Sequence, residues 1–118
     1  MQTVPRVTRD DVVRVIRRDY AAAPVAVVLA ILDRYGAEPW ERERDRVHMA
    51  VLKLAGGSVP ELRRQVEAAK VDYRDPLAQA EYPNRLTCMT PTRLLPPAEV
   101  EAMDERDRAQ YHRWLAKG

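Results

Sequence analysis

An uncharged run of twelve residues, from Ala21 to Leu32, constrains the fold of this chain more than any other feature. The run is too short to span a bilayer as a helix, which takes about 20 residues. Pro24 suits the first turn of a helix, and Gly36 suits a position just beyond its end. Aliphatic side chains would surround the axis of this helix on nearly all sides. A helix without a polar face is expected in the middle of a helical bundle.

Capping residues and apolar residues at helical spacing predict further helices along the chain. We expect helices to start at Thr8, after Pro39 or a little later, at Ser58 with a capping box, and at Pro97. Strand signals are almost absent from the sequence. With 118 residues, 46% of them hydrophobic, the chain can bury a core as one compact domain. The sequence therefore predicts an all-α single domain of four to six helices. The predicted core residues are Val28, Leu29, Ile31, Leu32, Val47, Val51, Leu54, Leu62, Val66 and Tyr73.

Proline interrupts the helical pattern at two places. Pro76 either kinks the fourth helix or restarts it with Asp75 as the cap, because a proline inside a helix loses one backbone hydrogen bond. Four of the fifteen residues at 83–97 are proline, which disfavours regular structure there. Several apolar side chains in the same segment would be poorly solvated, so we expect an ordered strap lying across the helices. The domain thus divides into a helical core at 8–82, the proline-rich strap at 83–97 and a closing helix at 98–117.

The closing helix carries apolar residues at its two ends and only charged residues in its middle, at 104–108. A helix lying flat on its own core would not be expected to place so polar a segment there. We therefore expect this helix to bridge two apolar surfaces, one of them in a second copy of the chain. Tyr111, Trp114 and Leu115 are the candidate homodimer interface, since Tyr and Trp are enriched at interface centres. The alternative is that these three residues dock back on their own chain.

Three segments carry a resemblance, together with the closing Tyr-x-x-Trp-Leu at 111–115. They are RVHMAVLKLAGG at 46–57, VEAAKVDYRD at 66–75 and AEYP at 80–83. In these segments the chain resembles a group of small uncharacterised bacterial proteins, in which an aliphatic residue stands in the place of Pro76. The group has no assigned activity. The resemblance implies a bacterial, cytoplasmic protein and nothing about its chemistry.

The charges nearly balance, with 20 Lys and Arg residues against 18 Asp and Glu residues and a formal net charge of +2. This balance argues against a polybasic protein and against an acidic tail. Arg14, Arg17 and Arg18 form a basic patch on the first helix and are the candidate polyanion contact. With the 39–46 region they support an alternative prediction, a helix-turn-helix-like nucleic-acid-binding protein. Acids and arginines alternate at 41–46, however, which is more typical of a solvated, salt-bridged face.

Motifs for covalent, metal or cofactor chemistry are weak in this sequence. Cys88 is the single cysteine and has no neighbouring His, so we expect a packed thiol rather than a nucleophile. The motif Asp45-x-x-His48 occurs once, whereas a di-iron bundle needs two Glu-x-x-His pairs. No glycine-rich phosphate loop is present. We expect no catalytic residue, no cofactor and no metal.

General acid–base chemistry is the remaining enzymatic alternative. Asp72, Asp75 and Glu81 lie close in sequence and could face one cleft, although acids near a helix end more often fix a turn.

The lone cysteine fits a reducing compartment, and no cleavage site follows the uncharged run, so we expect a cytoplasmic protein without a membrane segment. The predicted function is a non-catalytic protein-interaction or self-associating structural module. Its expected partner is itself, as a homodimer, or another protein.

Overall fold

A computed structural model describes residues 6–117 of the chain, and every regular element in this range is helical. The all-α prediction is therefore confirmed. The described residues form seven α-helices and one 3₁₀ turn at Thr92–Leu94. The helices are α1 (Arg9–Asp19), α2 (Val25–Leu32), α3 (Arg44–Ala55), α4 (Val59–Val71), α5 (Arg74–Glu81), α6 (Pro83–Leu86) and α7 (Pro97–Ala116).

Pro76 divides the predicted fourth helix into two. α4 ends at Val71 and α5 begins at Arg74, so the helix breaks and restarts rather than kinking. Pro76 lies in the first turn of α5, where its missing N–H would have no partner within the helix. The N-cap of α5 is Tyr73 rather than the predicted Asp75, so the helix restarts two residues earlier than expected.

The strap at 83–97 begins with a short helix, α6, although regular structure was not expected there. The Asp107 carboxylate of α7 supplies the reason, because it accepts the backbone N–H groups of Asn84 at 2.9 Å and Arg85 at 3.1 Å. These N–H groups belong to the first turn of α6 and have no acceptor inside the helix. A residue distant in sequence therefore caps this helix.

The apolar side chains of the strap are largely in water. Leu86 is 54% exposed, Leu94 is 66% exposed and Met89 is 96% exposed. The strap was expected to cover the helices with its apolar residues, and these three residues do not do so.

α3, rather than α2, lies at the centre of the molecule. Seven of its twelve residues are buried, whereas α2 buries Val28, Ile31 and Leu32. Ala26 and Val27 of α2 are exposed, so the expectation that this helix lies in the middle is wrong. The outward face of α2 carries alanines and Val27. Both faces of this helix are therefore apolar, and a pattern of polar and apolar residues does not distinguish them.

The hydrophobic core contains residues from the first five helices and from α7. Of the ten predicted core residues, Leu29, Leu54 and Tyr73 are partly buried against the core and the other seven are buried. The prediction omitted α1 and α7. These two helices bury Val12, Val15, Ile16, Met103 and Tyr111.

Two predicted helix starts are confirmed in atomic detail. Thr8 caps α1 with a complete capping box, because its hydroxyl accepts the N–H of Asp11 while the Asp11 carboxylate accepts the N–H of Thr8. Ser58 caps α4 by accepting the N–H of Glu61 at 3.3 Å, but its own N–H bonds the carbonyl of Ala55 at 3.1 Å, so the reciprocal half of the predicted capping box is not formed. Both caps involve residues only three positions apart, which is why local sequence predicts them.

Candidate interaction surface

The loop between α2 and α3 closes around the carboxylate of Glu41, which is buried. One oxygen of this carboxylate accepts the backbone N–H of Gly36 at 3.0 Å and that of Glu38 at 3.2 Å. Trp40 lies in the same loop and remains 67% exposed. A large aromatic side chain is therefore presented to water by a loop that the inward-facing carboxylate of Glu41 holds together.

Backbone geometry and one tyrosine fix the shape of this loop. Gly36 has a φ of 106°, and a Cβ atom there would lie 2.5 Å from Cγ of Arg44, so the position requires glycine. Glu43, just before α3, has a φ of 57°, which is unfavourable for a residue with a Cβ atom. The buried Tyr35 donates its hydroxyl hydrogen to the carbonyl of Arg42 at 2.6 Å. Burial, with the nearby Glu41 charge, raises the pKa of Tyr35 to about 12, so the phenol remains a donor.

Lys70 of α4 ties the loop to the helical body. Its Nζ lies 3.3 Å from Oε2 of Glu41 and donates to the carbonyl of Arg34 at 2.9 Å. Burial opposes the charge of Glu41, but the loop N–H groups and the Lys70 ammonium outweigh burial, so the pKa of Glu41 is lowered. The carboxylate is ionised at neutral pH and holds the loop of Trp40 against α4.

The break between α4 and α5 forms the opposite wall. Val71 is 90% exposed at the end of α4, and Tyr73 is half-buried with its ring centroid 6.5 Å from that of Tyr35. Asp72 accepts hydrogen bonds from the guanidinium of Arg74 at 3.0 and 3.1 Å, and this cation lowers the pKa of Asp72. A groove of about 300 Å³ lies between the two walls, and we call it the Trp40 groove. It is lined by Tyr35, Trp40, Glu41, Ala69, Lys70, Val71, Asp72, Tyr73 and Arg74.

The charged groups of the Trp40 groove are paired with one another, and two of its large uncharged side chains are open to water. Its four charged residues pair within the chain, Glu41 with Lys70 and Asp72 with Arg74, and their charges cancel. Its two large exposed side chains without charge are the indole of Trp40 and the valine side chain of Val71. Sequence reasoning did not single out Trp40, and the only available signal was its place in a turn near proline and glycine.

The charged middle of α7 lies on its own chain. Asp107 is buried and, besides capping α6, accepts the side-chain amide of Asn84 at 2.8 Å. Gln110 donates to the carbonyls of Ala80 at 3.0 Å and Glu81 at 3.4 Å, at the end of α5. The polar residues of α7 therefore satisfy the backbone groups left free where α5 meets α6. The inference that a charged middle keeps this helix off its own core is wrong.

The candidate homodimer interface is placed within one chain. Tyr111 is 1% exposed in the core, and Trp114 and Leu115 are partly buried against that core. The ring centroids of Tyr111 and Trp114 lie 6.0 Å apart. In the single chain, these three residues pack against its own core.

Two arginines of the candidate polyanion contact bind the end of α7. Arg14 donates to the carbonyls of Leu115 at 2.9 Å and Lys117 at 3.3 Å, and Arg18 donates to those of Trp114 and Lys117, each at 2.8 Å. Their guanidinium groups therefore complete the hydrogen bonds of a helix C-terminus. Arg17 is exposed and lies apart from this contact. The three arginines do not form one free basic patch.

The 39–46 region also lacks the surface of a recognition helix. Arg44 pairs with Asp45 at 3.5 Å, and Arg46 binds Glu81 through two hydrogen bonds of 2.6 and 2.7 Å. Arg42 is exposed. Because the side chain of Glu81 is fully buried, it does not share an open cleft with the residues of the Trp40 groove.

The remaining candidates for chemistry are dispersed. His48 is completely buried, and Cys88 of the strap is partly buried, with its thiol 3.2 Å from the carbonyl of Thr90. Within residues 6–117, no three His, Cys, Asp or Glu side chains are gathered so that they could hold a metal ion. Over the same range, no helix has the length and apolar character needed to cross a bilayer.

No family model, curated protein or solved structure matches this chain. The resemblance to uncharacterised bacterial proteins therefore stays a prediction.

Proposed function

We propose that this chain is a non-catalytic, self-associating protein-interaction module whose interface is the Trp40 groove. The observation that carries the proposal is the exposure of Trp40, at 67%, on one wall of the groove and of Val71, at 90%, on the other. Tryptophan, tyrosine and arginine are the residues most enriched where interfaces gain their binding energy, and the groove has all three. The indole can bury a large area with few rotatable bonds.

Charge supports a second copy of the chain as the partner. The groove has two positive and two negative residues, so it attracts neither a strongly acidic nor a strongly basic partner. A two-fold interface places the same patch on both sides, so each patch must be complementary to itself. Alternating charges meet this condition, because Asp72 of one copy can face Arg74 of the other. Trp40 of each copy would then cover Val71 and Tyr73 of its partner.

The exposed area of the molecule is also compatible with a dimer. The chain measures 47 × 32 × 22 Å and exposes 7289 Å² of surface. A monomer of this mass typically exposes about 6,600 Å². The lone thiol fits a reducing compartment, and we propose the cytoplasm as the site of assembly.

Light scattering after size exclusion tests the proposal. The parent is expected at twice 13.6 kDa at tens of micromolar, and Trp40→Ala and Val71→Ser are expected at monomer mass with unchanged helical circular dichroism. Val27→Ser is the matched control, because Val27 is also an exposed helical valine but lies outside the groove. A monomeric parent, or a Trp40→Ala variant that keeps the dimer mass, contradicts the proposal.

Duplex DNA serves as the second arm of the same experiment. Because Arg14 and Arg18 bind the carbonyls of α7, we expect no DNA complex at moderate salt. A complex that weakens steeply as salt rises would instead support the nucleic-acid alternative.

A further inference from the structure

The ten residues between α6 and α7, at 87–96, form a linker whose hydrogen bonds stay within itself and the adjoining turns of these two helices. Within the described part of the chain, each of its hydrogen bonds joins residues between 83 and 100. Pro91 and Pro96 have ψ angles of 134° and 140°, and Leu95 has one of 149°, so all three are already extended. Straightening the linker requires opening the 3₁₀ turn at Thr92–Leu94 and the turn and bends at 87–90.

The contacts that hold α7 are specific and do not depend on the linker. Arg14 and Arg18 bind its C-terminal carbonyls, and Asp107 and Gln110 bind the junction of α5 and α6. Any copy of α7 that reaches this position makes the same contacts. α7 is therefore a separable element held by a binding site that a second copy also possesses.

Three apolar side chains lie in water at the linker and beside it. Leu86, Met89 and Leu94 are 54%, 96% and 66% exposed, which makes them half of the large exposed apolar residues in the described range. In the closed chain they contribute little to packing. Two extended linkers that cross each other would bring these residues of both copies together and remove them from water.

We propose that α7 exchanges between two copies of the chain, with residues 87–96 as the hinge. In the exchanged dimer, α7 of each copy occupies the site formed by Arg14, Arg18 and the α5–α6 junction of the other. Exchange of an identical element is a low-cost route to dimers, because it repeats the contacts of the monomer. Ten extended residues reach about 33 Å, which exceeds the 22 Å smallest dimension of the molecule. This assembly is independent of the Trp40 groove.

The experiment uses a Trp40→Ala, Cys88→Ser chain, so that the groove does not contribute and no native thiol interferes. Arg85→Cys and Asp104→Cys are added, because these side chains form a 2.9 Å ion pair between α6 and α7. The chain is concentrated well above the tens of micromolar at which Trp40→Ala is expected to be monomeric, monomer and dimer fractions are separated, and both are treated with a short bis-maleimide. We expect the dimer fraction to give a covalent dimer on a denaturing gel and the monomer fraction to give an internally linked chain. A dimer fraction that yields only internal links overturns the proposal.

Two changes in the linker test the hinge itself. Deletion of residues 91–93 shortens it, which opposes docking on the same chain, and should raise the dimer fraction by about tenfold or more. Met89→Ser with Leu94→Ser removes the apolar contact between the crossing linkers and should lower the dimer fraction. Because both side chains are exposed, this second variant is expected to keep the parent's helical signal. An unchanged dimer fraction in the double variant, or no dimer from the deletion chain while it remains helical, contradicts the exchange.

Discussion

The guanidinium of Arg18 lies 5.0 Å from the ring centroid of Trp114 and donates a 2.8 Å hydrogen bond to the carbonyl of the same residue. The sequence suggested a separate role for each residue, Arg18 as a polyanion contact and Trp114 as part of a homodimer interface. In the fold they are partners within one chain. A helix C-terminus carries free carbonyls and a partial negative charge, so an arginine on a neighbouring helix stabilises it.

Arg18→Met tests how much this contact contributes to stability. Methionine keeps an unbranched aliphatic stem like that of arginine but has no guanidinium group, so the carbonyls of Trp114 and Lys117 lose a charged donor. Hydrogen bonds to charged groups contribute about 1.5–3 kcal/mol, so a loss of about 2 kcal/mol in the free energy of unfolding is expected in urea titrations. Arg17→Met is the matched control, since Arg17 is exposed on the same helix, and should change stability by less than about 0.5 kcal/mol. Equal losses in the two variants would contradict the assigned contact.

Local signals and long-range contacts explain which parts of the fold were predictable. The caps at Thr8 and Ser58 depend on residues three positions away, and both were predicted. The docking of α7 depends on arginines about a hundred positions earlier in the chain. The spacing of apolar and charged residues within α7 does not indicate these partners. The loop that carries Trp40 is held by Glu41, which pairs with Lys70 of α4 about thirty positions later in the chain. A pairing of this kind becomes visible only when the helices are assembled.

The two faces of α2 give a direct test of its position. Leu32 is completely buried and Val27 is 44% exposed, although both belong to the same apolar run. Leu32→Ala is expected to lower the free energy of unfolding by about 2–5 kcal/mol, because it removes buried methyl groups and leaves a cavity. Val27→Ala, measured under the same conditions, should cost less than about 1 kcal/mol. Comparable losses at the two positions would place α2 in the middle of the bundle after all.

The buried pair of Arg46 and Glu81 is open to a double-mutant cycle. The side chain of Glu81 is fully buried and receives both hydrogen bonds from Arg46, which is itself 32% exposed. Arg46→Met leaves a carboxylate buried without its cation, and we expect a loss of about 3–5 kcal/mol in stability. Arg46→Met combined with Glu81→Leu removes both charges, so much of this loss should be recovered. A double variant less stable than Arg46→Met alone would show that the loss in Arg46→Met does not come from leaving the Glu81 carboxylate without its cation.

His48 is the buried group whose protonation bears most directly on stability near neutral pH. Its Nε2 lies 2.9 Å from the carbonyl of Tyr35 and donates to it, while Nδ1 lies 3.3 Å from Nη1 of Arg9 and accepts from it. The imidazole is therefore neutral, with its single proton on Nε2. Burial lowers the pKa of His48, the Tyr35 carbonyl opposes this shift, and the charges of Arg9 and Arg44 add to it while that of Asp33 opposes it.

The stability of the fold should therefore fall as the pH drops below the pKa of an unfolded histidine, which is about 6.5. In this range the unfolded chain binds a proton that the folded chain excludes, so protonation favours unfolding by up to about 1.4 kcal/mol per pH unit. The loss continues until the pH reaches the lowered pKa of the folded state. Glu41 and Asp72, whose pKa values are also lowered, add acid sensitivity only near and below about pH 4.5, the range of unfolded carboxyls. His48→Gln keeps a donor for the Tyr35 carbonyl and removes the titration. Urea unfolding of parent and variant between pH 5 and 8 should show a slope below pH 6.5 in the parent alone, and parallel curves would place the pH dependence elsewhere.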